Sequence, residues 1–176
     1  MCKFKPIILT PNLSLFQNLH YIPDVKKCYL KYVKYLQDDF SEAYTSNLHS
    51  FIYHSSPFFW VVTDFDDNFM GFVFLDNFTG GSGRFYSAEL TTCFDKKAWG
   101  IFTRYSAKFF LKKCFDELGL YKIKAQVYPD NFLVKTLLKA SGFKYESTLK
   151  NETLRGGKMQ DIEVFALYRT YYYKTR

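Results

Sequence analysis

No stretch of this 176-residue sequence approaches the roughly 20 apolar residues that a helix needs to cross a bilayer, so no membrane partner is expected. The run MCKFKPIILTPNLSLF is broken by Pro6, Pro11 and Asn12 and has no small-residue cleavage pattern after it, which reads against a signal peptide. Cys2, Cys28, Cys93 and Cys114 include no CxxC pair. His49 and His54 miss the i, i+4 step of a helical ligand pair. No metal is expected, and the thiols read as the reduced cysteines of a cytoplasmic protein. There is no massed basic tract either. The net charge of +7 favours an anionic partner, but its lysines are scattered, so a nucleic-acid partner ranks last. Internal repeats, low-complexity segments and linkers are also missing, and residues 1–176 are treated as one domain.

What the sequence has in excess is aromatic residues, at 21% of the chain, and so many rings must line a core or a binding surface. KPIILT reads as a first strand closed by Pro11. From Asp24 to Phe40 the spacing of Val25, Cys28, Tyr29, Tyr32, Val33 and Leu36 predicts a helix with Asp24 as its N-cap. A less regular helical stretch covers Ser41 to His54. Two apolar runs around DFDDN predict a hairpin. TGGSG is a loop, lacking the lysine and following helix of a nucleotide-binding loop, and RFYSAELTTCF is a strand. Ile101 to Leu118 reads as a helix with apolar positions that include Phe102, Tyr105 and Phe109, and Gly119 follows it as a stop. YKIKAQVYP is a strand, DNFLVKTLLKASGF a shorter helix, and two strands flank RGGK. RGGK reads first as a hairpin turn and second as an acceptor gate. The order predicts a mixed α/β fold with helices on both faces of the sheet.

Three segments carry a family resemblance: SAELTTCFDKKAWGIF, ELGLYKIKAQVYPDNFLVKTLLKASGFKYE and STLKNETLRGGKMQDIEVFALYRTYY. From Phe58 to Tyr172 the chain resembles the GNAT (Gcn5-related N-acetyltransferase) superfamily, most closely the branch of the ribosomal-protein N-terminal acetyltransferases. The resemblance implies a mostly antiparallel, mixed central sheet of six to seven strands. It implies acetyl-CoA as cosubstrate, with the pantetheine arm between two splayed central strands and the pyrophosphate on the amino end of the next helix. The physics suits that arrangement, because the first turn of a helix presents unpaired N–H groups and partial positive charge.

The family's loop has Gln or Arg, two residues, Gly, any residue, then Gly or Ala. Here those places hold Lys97, Ala98, Trp99, Gly100, Ile101 and Phe102. Phe102 is the departure: its ring either crowds the phosphates or is buried as a core residue. Thr103, Arg104 and Ser106 are placed to donate to phosphate oxygens. Asn131 matches an asparagine that contacts pantetheine, and backbone N–H groups from Thr91 through Cys93 to Phe94 would serve the thioester carbonyl. Cys93 itself, with no histidine partner, reads as a small buried hydrophobe.

Acetyl transfer to an amine needs a base for the ammonium proton, donors for the developing oxyanion and an acid for the thiolate. Glu89 is the candidate base, against the equal reading of a strand carboxylate facing solvent or a lysine. The family's acid positions here hold Leu138 and Val134, which cannot donate. Tyr128 and Tyr105 are substitutes by sequence proximity alone. The resemblance thus implies an acetyl-CoA-dependent N-acyltransferase acting on a primary amine, either a protein or peptide amino terminus or a small molecule. The alternative is a catalytically impaired CoA-binding or interaction module. The aromatic excess suits a homodimer surface or an apolar acceptor as well as a filled core.

Overall fold

The computed structural model describes residues 2–10, 15–40, 48–81 and 83–174. Seven strands form the central sheet: β1 (Lys3–Pro6), β4 (Phe59–Thr63), β5 (Phe69–Gly81), β6 (Arg84–Phe94), β7 (Lys122–Val127), β8 (Lys144–Arg155) and β9 (Lys158–Tyr168). Their spatial order is β1-β4-β5-β6-β7-β9-β8. Every neighbouring pair is antiparallel except β6 and β7. Two short strands, β2 (Ile8–Thr10) and β3 (Leu15–Gln17), pair separately.

Helices cover both faces. On one side lie α1 (Ile22–Lys31) and α2 (Leu48–Ser55), whose Val25, Cys28, Tyr29 and Ile52 pack on Phe59, Val61, Phe72 and Phe74. On the other lie α3 (Ile101–Asp116), α4 (Phe132–Ala140) and α5 (Arg169–Lys174), which contribute Phe110, Phe115, Leu138 and Tyr172. Strand β4 shows why its sequence is an unbroken apolar run. Phe59 and Val61 face the first layer, Trp60 and Val62 the second, and a strand covered on both faces has no polar side to alternate with. Much of the aromatic excess is interior packing. Phe59 lies 5.4 Å from Phe72 and 5.7 Å from Phe74 on one face, and Trp60 meets Phe110 edge-on at 5.2 Å on the other.

From Phe58 to the end of β9 the expected order of elements is observed, and five details differ. KPIILT divides into β1 and β2, because Pro6 has no N–H to extend the β1–β4 ladder; the fully buried Ile7 donates instead to the Phe59 carbonyl at 2.9 Å. Its expected end at Pro11 lies outside the described residues. The long first helix starts at Ile22, with Asp24 inside its first turn rather than at the cap. It stops at Lys31, where Tyr32 (φ −117°, ψ 16°) leaves the helical region, and one 3₁₀ turn at Val33–Tyr35 follows. The second helix begins at Leu48, and residues 41–47 lie outside the described residues. Finally, Thr79–Gly81 of TGGSG continue strand β5, and α5 follows β9 where no helix was expected. Among the described residues no helix is long and apolar enough to cross a membrane.

Strand β5 approaches β6 closely at Gly71, where an added Cβ would stand 2.5 Å from the Cys93 carbonyl oxygen and 2.8 Å from the Phe94 Cα. Both obstacles are backbone, so the strands would have to separate. Gly71→Ala is expected to lower stability by about 1–3 kcal/mol, read as a fall in the chemical-denaturation midpoint; an unchanged midpoint would show that the two strands can part there freely.

Candidate active site

Strands β6 and β7 pair only from Ser87 to Glu89 against Lys122 to Lys124. Beyond that register β6 stays with β5 as far as Phe94, and β7 stays with β9 as far as Val127. The two central strands therefore part, and a cleft of about 700 Å³ opens between them. One end is walled by Tyr32, Trp99, Gly100, Thr103 and Arg104, the middle by Thr91 to Phe94 and Ala125 to Tyr128, and the other end by Tyr35 to Asp38, Glu152 and Thr153.

The loop from β6 to α3 is built for its place at the first end. Asp95 accepts from the Lys97 N–H and starts a 3₁₀ turn over Lys96–Ala98. Trp99 anchors its ring by donating Nε1–H to the Phe94 carbonyl at 3.1 Å. Gly100 then turns the chain with φ 98° and ψ −123°, a conformation that side-chain-bearing residues rarely adopt. The helix that follows has no side-chain cap and no acidic residue in its first turn. Its leading N–H groups and partial positive charge are left for an anion in the cleft.

The inner stripe of α3 settles the place of Phe102. Phe102 packs against the main core in line with Ser106 and Phe110, and its ring does not line the cleft. It leaves the amino end of α3 open to the cleft. The outer stripe holds Ile101, 74% exposed, with Tyr105 and Phe109, so Tyr105 faces solvent and is no substitute acid. Lys97 also lies outside the cleft, near enough to Asp64 to help hold that carboxyl below its usual range, after the larger effect of Asn68. The Thr103 hydroxyl is spent on the Ala98 carbonyl at 2.6 Å. Ser106 is different: it lines the cleft, is 1% exposed, and its Oγ has no partner among the described residues. A buried hydroxyl without a partner costs roughly 1–3 kcal/mol, which a polar group of a bound ligand would relieve.

At the middle of the cleft, Glu89 accepts two amide hydrogen bonds on one carboxylate oxygen. The donors are Asn77 Nδ2 at 3.2 Å and Gln126 Nε2 at 3.1 Å. Cys93 is buried against Cys28, with 3.5 Å between the sulfurs. That contact and burial push its thiol up, so it stays protonated at neutral pH and is no nucleophile, as expected of a small buried hydrophobe. Asn131 caps α4, its Oδ1 accepting from the Val134 N–H at 3.3 Å, which leaves its amide N–H groups for the cleft. Val134 and Leu138 are apolar lining.

The far end is a clasp between residues 33–40 and the β8–β9 hairpin. The Asp39 carboxylate accepts from the N–H groups of Gly156 (2.8 Å) and Gly157 (2.7 Å), and Thr153 Oγ1 donates to Asp38 at 2.5 Å. The Arg155 guanidinium lies 4.1 Å over the Tyr128 ring and donates to Asp130 and to the Lys34 carbonyl. Tyr128 donates its own hydroxyl to the Gln37 carbonyl at 3.1 Å. Burial first, and then Asp38, push its phenol above the usual range, against the pull of Arg155. The suggested acid is thus a structural donor in this arrangement. RGGK is a hairpin turn between β8 and β9, tied to residues 33–40 through Asp39.

The sequence matches the family described as Acetyltransferase (GNAT) domain over residues 14–144. The chain belongs to the GNAT acetyltransferases. Similar solved structures include *Mycobacterium smegmatis* RimJ in complex with CoA-disulfide, at 18% identity and TM-score 0.71, covering 87% of this chain and 79% of that one. A spermidine N-acetyltransferase from *Vibrio cholerae* in complex with CoA and spermine has 21% identity and TM-score 0.71, covering 98% of both chains. A chimera of that enzyme with hSSAT reaches 26% identity at TM-score 0.60, covering 75% of this chain and 77% of that one. No curated protein matches the sequence significantly.

For this GNAT domain the cosubstrate is acetyl-CoA, and the residues present fit it. The uncapped start of α3 suits the pyrophosphate, and the free edge of β6 and the Ser106 hydroxyl suit the amides of the pantetheine arm. Glu89, Thr91, Cys93, Phe94, Trp99, Gly100, Thr103, Arg104, Tyr128 and Asn131 all line the one cleft, whereas the side chains of Lys97, Ile101 and Phe102 do not. Ile101 and Phe102 can contribute only backbone N–H groups. Ser106→Ala is expected to weaken CoA about three- to tenfold in calorimetric titration without lowering the melting temperature. Phe102→Ala is expected to lower the melting temperature while changing CoA affinity less than about twofold, since the loss is core packing; tighter CoA binding would mean that the ring obstructs the phosphates after all.

Proposed function

We propose that this GNAT enzyme acetylates a primary amine of a small polycation of the polyamine class, with Glu89 as the base. The observation that carries the acceptor class is the charge of the cleft. The chain is basic overall, yet Asp38, Glu89 and Glu152 line the acceptor side and, among the described residues, the one basic lining residue, Arg104, stands at the phosphate end. Three carboxylates there attract an acceptor with more than one ammonium group. The bound spermine of the *Vibrio cholerae* relative supports the same class.

In this reading the acceptor enters along the clasp and presents one nitrogen to Glu89. Glu89 takes a proton, and the neutral amine attacks the thioester carbonyl carbon. Backbone N–H groups of Thr91 to Phe94 that face the cleft stabilise the oxyanion, as their strand has no partner there. The carbon–sulfur bond breaks, and the thiolate leaves with the second amine proton. Holding both substrates in one narrow cleft supplies the orientation that direct transfer needs. Unjoined thiols, including the adjacent Cys28 and Cys93, suit the reducing cytoplasm.

A second reading, CoA binding without turnover, is favoured by apolar Val134 and Leu138 at the places where the family carries an acid. Steady-state acetylation of spermidine separates the two. Turnover is expected, and Glu89→Gln is expected to cut kcat by about 10²–10⁴. Glu152→Gln is expected to raise the KM for spermidine about two- to fivefold and to leave that of a monoamine unchanged. CoA binding with no turnover on any polyamine would favour the second reading.

A further inference from the structure

Taking Glu89 as the base, we propose that Asp76 is its positioning residue, a second carboxylate across the β5–β6 ladder that pairs with Glu89 to take up the acceptor's ammonium proton. The two residues are directly opposite in the antiparallel register, so their side chains share a face of the sheet. That face is the one turned toward the acceptor side, because the alternate residues Leu75 and Ala88 point into the opposite core. Strand β5 is deformed at this point. Its register shifts between Asp76 and Thr79, and Asn77 takes a left-handed conformation (φ 46°). In a regular strand Asn77 would point away from Asp76. The bulge instead brings Asn77 Nδ2 onto Glu89, so one short segment aims both a carboxylate and an amide at the same side chain.

The surrounding charges pull in two directions. The amides of Asn77 and Gln126 stabilise ionised Glu89, and Lys124, level with Glu89 on the same face of β7, does so too. Asp76 works against them, since a second negative charge alongside favours a proton on the pair. Asp38 and Glu152 stand elsewhere in the same cleft. From α1 and α2 the buried residues over this face are Val25, Cys28, Tyr29 and Ile52, which carry no formal charge. Asp76 Oδ1 is buried and has no hydrogen-bond partner among the described residues. Burial, and after it Glu89, push the Asp76 carboxyl up to about 6. The pair therefore takes up a proton at a pH where an exposed carboxylate would not.

The step balances within the acetyl transfer itself. The acceptor ammonium gives one proton to the carboxylate pair at Glu89. The nitrogen lone pair forms the bond to the thioester carbon, sulfur leaves with the bonding electrons, and the second nitrogen proton goes to sulfur to give the free thiol. The proton on the pair returns to solvent.

The test compares Asp76→Asn, Glu89→Gln and the double variant in steady-state acetylation of spermidine across pH 5 to 9, with melting temperatures recorded alongside. Asp76→Asn is expected to melt no lower than the native protein, because it removes a half-buried carboxylate whose Oδ1 has no partner among the described residues. Its kcat at pH 7 is expected to fall about tenfold, matching a change of about one pKa unit in the carboxylate pair. The acid limb of its kcat profile should move to lower pH, with the KM for spermidine changing less than about twofold. In the Glu89→Gln background Asp76→Asn should have no further effect. A native kcat profile in Asp76→Asn, with Glu89→Gln strongly impaired, would overturn this inference and leave Glu89 as the base. An effect of Asp76→Asn on KM alone, or a lowered melting temperature that accounts for the loss, would also overturn it. An unimpaired Glu89→Gln would remove the base reading itself.

Discussion

Backbone N–H and C=O groups inside a sheet have to find partners, and between β6 and β7 that pairing stops after three residue pairs. Each strand is held on its far side, β6 by β5 and β7 by β9, so neither can swing back to close the gap without leaving its other neighbour. The cleft is the consequence. Its walls are an unpaired strand edge, its one end the uncapped amino end of α3, and its other end the clasp of Asp39 on the Gly156–Gly157 turn. Cofactor site, candidate base and acceptor mouth all follow from where the two strands part.

The electrostatics divide along the same line. In the proposed reading the phosphate end has Arg104 and the helix start, and the acceptor end has carboxylates. A basic chain with an acidic acceptor mouth would then bind an anionic cosubstrate and a cationic acceptor in one cleft without bringing their charges into competition. Glu89 stands between them, under opposing influences from amides and Lys124 on one side and Asp76 on the other.

Much of this was legible in the sequence, and the legible parts are local. The strand-to-helix turn at Gly100, the helix stop at Gly119 and the alternation of β7 are written in adjacent residues. The run of apolar residues in β4 announced a buried strand in the same way. What escaped depends on contacts distant in the chain. The segment 33–40 has a helical pattern, yet it is shaped by Arg155 and by the Asp38 and Asp39 bonds to β8 and its turn, more than 100 residues later. Phe102 was ambiguous because a loop motif cannot show which way a helix is rotated about its axis; the core decides that, through Ser106 and Phe110 on the same stripe. The pairing of Asp76 with Glu89 was invisible because it rests on ladder register and on a bulge at Asn77, for which an isolated asparagine gives no sign.

The central claim is that the unpaired edge of β6 and the start of α3 together form the acetyl-CoA site. Amide hydrogen exchange with and without CoA tests it most directly, since it reads backbone N–H groups and needs no acceptor. Slowed exchange is predicted in residues 90–94 and 100–104, with residues 84–88, already paired to β5 and from Ser87 on also to β7, unchanged. Saturating CoA that leaves 90–94 and 100–104 unprotected, or protects only another part of the chain, would contradict the account.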